Sequence, residues 1–225
     1  PADTAALYNV QLGVAYLQQG NLAIAQDKLE RALKENPRDP NVHTGLALLY
    51  ERLDQPERVD AEYREALRLA PRNPDISNNY GVYLCQHGHV DEGVRRLESV
   101  ARNPLYRTPE TAYTNAAACL RSAKRTTEAE RDLLRALALR PANTEAALQL
   151  GEMYLELGRL ADARKRVDGH LDVYPATPEM LWLGVRVTRA LGDRLAAEHY
   201  GRQLRRDFPN SDQARALAAL GSNPG

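Results

Sequence analysis

Glu152 and Glu156 stand four residues apart in a segment of helical periodicity, so both carboxylates would lie on one helix face. Paired carboxylates can serve as general acid and general base. The sequence has no nucleophile–base pairing and no glycine-rich phosphate loop to accompany them. We therefore expect these carboxylates to contact a basic partner, and we expect a protein that is not an enzyme and has no cofactor.

Histidine and cysteine are the other residues that could do chemistry. His87 and His89 flank one glycine, but no second ligand cluster occurs in the sequence. A solvated turn is the better interpretation of this pair. Cys85 and Cys119 lack the CxxC spacing of zinc sites. We therefore expect no metal site.

The amino-acid composition argues against several classes of protein. The 225 residues carry 30 Lys and Arg against 30 Asp and Glu, a balance that argues against a nucleic-acid or membrane-surface binder. No stretch approaches the roughly 18 apolar residues that a membrane helix needs. Because the chain begins at Pro1 rather than Met, we expect that its start has been processed or trimmed.

A repeat of 34 residues organises the chain. Small and apolar residues at fixed spacing define one copy: Leu12, Gly13, Tyr16, Ala25, Leu29, Ala32 and Pro37. The same spacing returns in a second copy: Leu46, Ala47, Tyr50, Val59, Tyr63, Ala66 and Pro71. It appears again from Thr144, and three weaker copies fill the remainder. This period and these residue types identify tetratricopeptide repeats.

Each repeat predicts a hairpin of two helices, A and B. Small residues such as Gly13 and Gly151 allow the two helices to approach, glycines cap helix A, and a proline ends helix B. We expect one domain over residues 1–225, an all-α right-handed superhelix of six hairpins with a capping helix over 211–220. The expected repeat boundaries are 6–39, 40–73, 74–109, 110–143, 144–177 and 178–210.

In this family, helix A of each repeat faces a concave groove. Groove positions with apolar or recognition-competent side chains are the candidate partner site: Leu7, Val10, Val14, Leu17, Leu48, Asn78, Val82 and Trp182. The first four form one apolar stripe on a face that is predicted to be open to solvent, so another group should cover them. The alternatives are a partner, the 2–5 segment or a neighbouring molecule. Trp182 is either a binding hot spot or a side chain packed on the capping helix.

The later repeats present charge instead. Glu145, Glu152 and Glu156 stand beside Arg186 and Arg189, which suits electrostatic steering or a second partner.

Repeat three carries a more specific signature. Residues 78–88 read NNYGVYLCQHG, which resembles the NNYGxFLCxxG signature of the type IV pilus biogenesis/stability family (PilF/PilW), with Tyr83 where phenylalanine is usual. The similarity covers nearly the whole chain, and six repeats with a terminal helix match the family architecture. The resemblance implies a pilotin, a lipoprotein on the periplasmic face of the outer membrane that promotes localisation and multimerisation of the pilus secretin. Its partners would be secretin subunits, and its only membrane contact a lipid anchor upstream of Pro1.

Two alternatives stay open from the residues alone. One is a tetratricopeptide arm of a larger cytosolic protein, and the other is a generic periplasmic assembly scaffold. Compartment also bears on Cys85 and Cys119, which occupy helix A of neighbouring repeats, where facing Cα atoms come within disulfide reach. In an oxidising periplasm we expect them to form a disulfide, and the alternative is two free thiols.

Overall fold

The computed structural model describes the backbone of residues 2–221 and the side chains of residues 4–221, and within these bounds every regular element is a helix. The helices are α1 (Ala2–Gln18), α2 (Leu22–Glu35), α3 (Pro40–Arg52), α4 (Pro56–Leu69), α5 (Pro74–Gln86), α6 (Val90–Ala101), α7 (Pro109–Ser122), α8 (Thr126–Leu139), α9 (Thr144–Glu156), α10 (Leu160–Leu171), α11 (Pro178–Ala190), α12 (Arg194–Asp207) and α13 (Asp212–Gly221). The predicted six hairpins and terminal helix are confirmed. No helix in this part of the chain combines the length and apolarity needed to cross a membrane.

The turn inside every hairpin is built the same way. One residue just after helix A has a positive φ, which reverses the chain before helix B begins. Four of these residues are the predicted glycines, namely Gly20, Gly88, Gly158 and Gly192, with φ between 70° and 84°. The other two are Asp54 at 53° and Lys124 at 59°, which hold a conformation that favours glycine.

The chain forms two compact units, residues 1–83 and residues 84–225. In the first unit, α1 packs against α2 and α3. Leu29 of α2 fills the space that two glycines leave. A Cβ at Gly13 would lie 2.6 Å from Leu29 Cγ, and one at Gly45 would lie 2.6 Å from Leu29 Cδ2. Glycine at both positions is therefore a packing requirement.

In the second unit, successive hairpins pack through a continuous apolar core that runs from Val94 to Val187. The terminal helix α13 packs on α11 and α12, and Ala214 joins Leu181 and Leu204 in a small separate cluster. Ser211 caps α13, because its Oγ accepts a hydrogen bond from the Ala214 amide at 3.1 Å.

Tyrosine hydroxyls donate to carboxylates of another helix at three places. Tyr80 donates to Asp60, Tyr154 donates to Glu130 at 2.7 Å, and Tyr200 donates to Asp168. Burial and the neighbouring carboxylate raise the pKa of Tyr154 to about 12, so this hydroxyl keeps its proton at neutral pH. These bonds explain part of the composition, eleven tyrosines against one phenylalanine, since a phenylalanine ring could not make them.

Candidate functional site

Of the four apolar side chains of α1 that were predicted to line the groove, two are accessible to solvent and two are buried. Leu7 is 46% exposed and Val14 is half-buried, as a groove position requires. The prediction is wrong for Val10 and Leu17, which are 7% and 4% exposed.

For Val10 the cause is the packing of α1 on α3. Ala6, Val10 and Leu17 fall at helical spacing on the covered side of α1. The Cγ1 atom of Val10 lies 3.9 Å from the position that a Cβ of Gly45 would take, so Val10 seals the contact with α3. Residues 2–5, one of the expected covers, form the first turn of α1.

The remaining predicted residues of the first unit form what we call the groove surface: Leu7, Val14, Leu48, Asn78 and Val82. The last four are half-buried. Val14, Leu48 and Val82 occupy the same position of three successive repeats, 34 residues apart, on α1, α3 and α5. A recurring, partly exposed apolar side chain on helix A is suited to contact an apolar segment of another protein.

Sequence reasoning missed a second apolar surface in this unit. Tyr8 is 62% exposed and Ile24 is 37% exposed. The residues at the position of Tyr8 in the next two repeats, Val42 and Ile76, are 0% and 3% exposed. The available signal was the repeat spacing, which aligns Tyr8 with positions that the stacking of hairpins buries in the next two repeats.

Trp182 occupies the second of the two environments expected for it, a side chain packed on the capping helix. It is half-buried and packs against the cluster of Leu181, Leu204 and Ala214, which includes the terminal helix. It therefore contributes to the stability of the C-terminal end of the second unit.

Glu152 and Glu156 of α9 face arginines of neighbouring helices. Arg121 of α7 contacts Glu156 at 3.1 Å and Glu152 at 3.8 Å, and Arg186 lies 3.9 Å from Glu152. They border a recess of about 470 Å³ with Glu145. Carboxylates neutralised by arginines serve as ion-pair partners, and the Ser122 hydroxyl that lines the same recess donates to the Ala118 carbonyl at 3.1 Å.

The two buried histidines, His43 and His170, have structural environments, whereas His87 and His89 are exposed. His43 bonds through Nδ1 to Glu62 at 2.6 Å and through Nε2 to the Pro37 carbonyl at 2.9 Å. The hydrogen bond to Glu62 raises the pKa of His43, whereas burial lowers the pKa of His170. Across the part of the chain that the structure describes, no three His, Cys, Asp or Glu side chains are grouped to hold a metal.

Comparison with known proteins identifies relatives of this chain in sequence and in structure. Tetratricopeptide repeat models match residues 10–74 and 120–181. The type IV pilus assembly protein PilF of Pseudomonas aeruginosa is 29% identical over 202 residues, which are 90% of this chain and 80% of that protein. The crystal structure of PilW, a widely conserved type IV pilus biogenesis factor, aligns with a TM-score of 0.76 and 27% identity over 95% of this chain and 98% of that one. The structure of Pseudomonas aeruginosa PilF aligns with a TM-score of 0.74 and 28% identity over 97% and 99%. The chain is a PilF/PilW-like tetratricopeptide repeat protein.

The signature segment of this PilF/PilW-like protein has mainly structural roles. Tyr80 stacks on Tyr63 with ring centroids 5.0 Å apart, and Tyr83 contacts the same ring at 6.1 Å. Cys85 forms a disulfide with Cys119, which joins α5 to α7 with a Cα–Cα distance of 5.4 Å. Of the residues in the signature, only Asn78 and Val82 belong to the groove surface.

Proposed function

We propose that this PilF/PilW-like protein binds subunits of the type IV pilus secretin and promotes their localisation to the outer membrane and their multimerisation. The observation that carries the proposal is the extent of the similarity. The match to PilF spans 90% of this chain and 80% of PilF, and the PilW structure is matched over 98% of its length. A relationship of this extent covers the whole repeat scaffold rather than a single repeat.

The groove surface is the proposed contact. Val14, Leu48 and Val82 repeat one partly exposed apolar position over three hairpins, and Leu7 adds a fourth side chain that is 46% exposed. Such a surface can take an amphipathic helix or an extended segment of a secretin subunit. The amide of Asn78 adds a polar group that can help to fix the register of the bound segment.

We further propose that the protein works on the periplasmic face of the outer membrane through a lipid anchor upstream of Pro1. The Cys85–Cys119 disulfide supports this compartment, since disulfides persist in the oxidising periplasm and are rare in the cytosol. Incorporation of labelled palmitate into the full-length gene product, followed by fractionation of the membranes, tests it. An unlabelled product in the soluble fraction would contradict the proposed location.

The binding test places one charge on the groove surface. In Val14→Arg the half-buried side chain becomes a cation that snorkels to solvent, so the fold is retained while an apolar contact is lost. Val173→Arg is the matched control, because Val173 is 69% exposed and lies in the second unit. Both variants are compared with the wild type by co-purification of secretin from envelope extract and by the yield of secretin multimers in cells.

We expect Val14→Arg to lose secretin and Val173→Arg to retain it, with equal helicity in both. A hot-spot residue is worth about 2 kcal/mol or more, which corresponds to at least a roughly thirtyfold loss of affinity. Normal secretin binding by Val14→Arg would rule out the groove surface. If the wild type captures other envelope proteins and no secretin, a general periplasmic assembly scaffold is the better assignment.

A further inference from the structure

A second recess lies in the second unit, between α11, α12 and α13, and it has a volume of about 590 Å³. This volume falls within the roughly 300–1,000 Å³ of typical ligand pockets. Its lining consists of Val185, Arg189, Gly192, Arg194, Ala197, Glu198, Gly201, Arg205 and Leu217. None of these residues belongs to the groove surface.

The lining carries an excess of positive charge, three arginines against the single carboxylate of Glu198. Within residues 4–221, Arg189, Arg194 and Arg205 form no ion pair and no side-chain hydrogen bond. Glu198 is itself partly neutralised by Arg202, whose Nη1 lies 3.5 Å from its carboxylate. Three guanidinium groups at one recess are thus available to a ligand.

The unpaired state of these arginines contrasts with others in the same unit. Arg125, Arg159 and Arg164 each contact two carboxylates, one of them in a neighbouring hairpin. The guanidinium groups of these three residues are therefore occupied by contacts between hairpins. The arginines of the recess serve no such internal contact.

The rest of the lining is apolar or small. Ala197 of α12 and Leu217 of α13 are half-buried, whereas Val185 of α11 is buried. A Cβ at Gly201 would lie 3.3 Å from Leu217 Cδ2 and 3.9 Å from Arg205 Nη1. Glycine at this position keeps the space open beside a guanidinium group.

We propose that this recess binds an acidic segment of a partner protein, with carboxylates on the arginines and an apolar side chain against Ala197 and Leu217. Guanidinium groups match carboxylates through paired N–H donors, and these charge-assisted bonds are stronger than neutral ones. The apolar lining requires a ligand that brings apolar atoms together with its negative charge. A recess favours a polypeptide segment over a bilayer surface, which would need an exposed basic face, and the chain as a whole carries no excess of basic residues.

The experiment uses a peptide of eight alternating Glu and Leu residues, blocked at both ends, and a matched peptide with Gln in place of Glu. Isothermal titration calorimetry on the intact chain measures both. We expect the Glu peptide to bind about tenfold more tightly than the Gln peptide, and its Kd to rise with salt concentration.

Two variants locate the binding. Replacing Arg189 and Arg205 together by Gln should weaken binding of the Glu peptide by about tenfold or more. Ala197→Phe keeps all three arginines and should weaken binding by filling the recess. Arg206→Gln is the matched control, since Arg206 pairs with Asp207 at 2.7 Å, lies outside the lining, and should leave binding unchanged.

Equal affinity for the two peptides, or unchanged binding by the double arginine variant, would overturn the proposal. Vesicles of phosphatidylglycerol supply the competing source of negative charge. If vesicles bind through Arg189 and Arg205 while the Glu peptide does not bind, the recess recognises a lipid headgroup and the proposed partner is wrong. Melting curves of every variant establish that loss of binding does not come from unfolding.

Discussion

The Cys85–Cys119 disulfide should be a large source of stability for the second unit. The two cysteines are 34 residues apart in sequence, and the bond closes that loop in the unfolded chain. The chain-entropy relation gives about 3.8 kcal/mol at 25 °C for a loop of this length. Total stabilities of domains are only about 5–15 kcal/mol, so this single bond is a substantial fraction.

The perturbation is the double substitution Cys85→Ala with Cys119→Ala, compared with the wild type in the presence and absence of dithiothreitol. Cys119 is 5% exposed, and alanine keeps a small apolar group there without leaving a buried thiol. Urea unfolding followed by circular dichroism measures the change. With a slope of about 2 kcal/mol per M, we expect the midpoint to fall by about 2 M.

The controls separate the bond from the side chains. Reduced wild type and the double variant should unfold at similar midpoints, and dithiothreitol should not affect the variant. Amide exchange should accelerate first in α5, α6 and α7, which the bond encloses or joins. Equal midpoints for oxidised and reduced wild type would refute the loop-entropy reasoning for this site.

Three further predictions concern turns, packing and titration. Lys124→Gly should stabilise the protein by about 0.5–1 kcal/mol in thermal or urea unfolding, because Lys124 holds φ at 59° and glycine relieves that strain. Gly13→Ala should destabilise by about 1–3 kcal/mol, since its Cβ would overlap a buried leucine. Gly169→Ala, with no atom within 4 Å of its Cβ, should instead stabilise by about 0.5–1 kcal/mol. In an NMR titration His43 should titrate above its ordinary pKa of 6.5 and His170 below it. The stability from His43 is therefore present below about pH 6.5 and lost as pH rises through its raised pKa, and the contribution of His170 is lost as pH falls.

Each of these has a clear contrary result. An unchanged or lower stability of Lys124→Gly would show that the positive φ costs nothing there. Equal effects of the two glycine substitutions would contradict the close contact at Gly13. Coincident titration of His43 and His170 would contradict their opposite environments.

The fold was predictable because its signals are local and repeated. Small residues, capping glycines and terminal prolines recur at fixed positions, so a period of 34 residues suffices to identify the architecture. The sequence did not show that Gly45 and Gly151 make their closest contacts with a neighbouring hairpin, through Leu29 and Leu183. The groove surface was less predictable. Val10 and Leu17 share the apolar character of Val14, and only the approach of α3, made close by Gly45, decides which of them is covered.

The sequence alone could not predict which side chains pair between hairpins. The contact of Arg121 with Glu156 joins residues 35 apart and depends on side-chain conformation as well as repeat register. That Arg189, Arg194 and Arg205 pair with no carboxylate among residues 4–221 is likewise visible only in the structure. Periodicity predicts positions on a helix face, whereas pairing depends on distances between helices.

The tyrosine–carboxylate bonds bear on how this chain can evolve. Tyr80 with Asp60, Tyr154 with Glu130, and Tyr200 with Asp168 span 20, 24 and 32 residues. Because each junction has its own spacing, a repeat gained by duplication or lost by deletion would place its tyrosine opposite the wrong side chain. The copies have become individual parts that are no longer interchangeable. Descendants of this gene should therefore vary in their connecting segments while they keep the number and order of their hairpins.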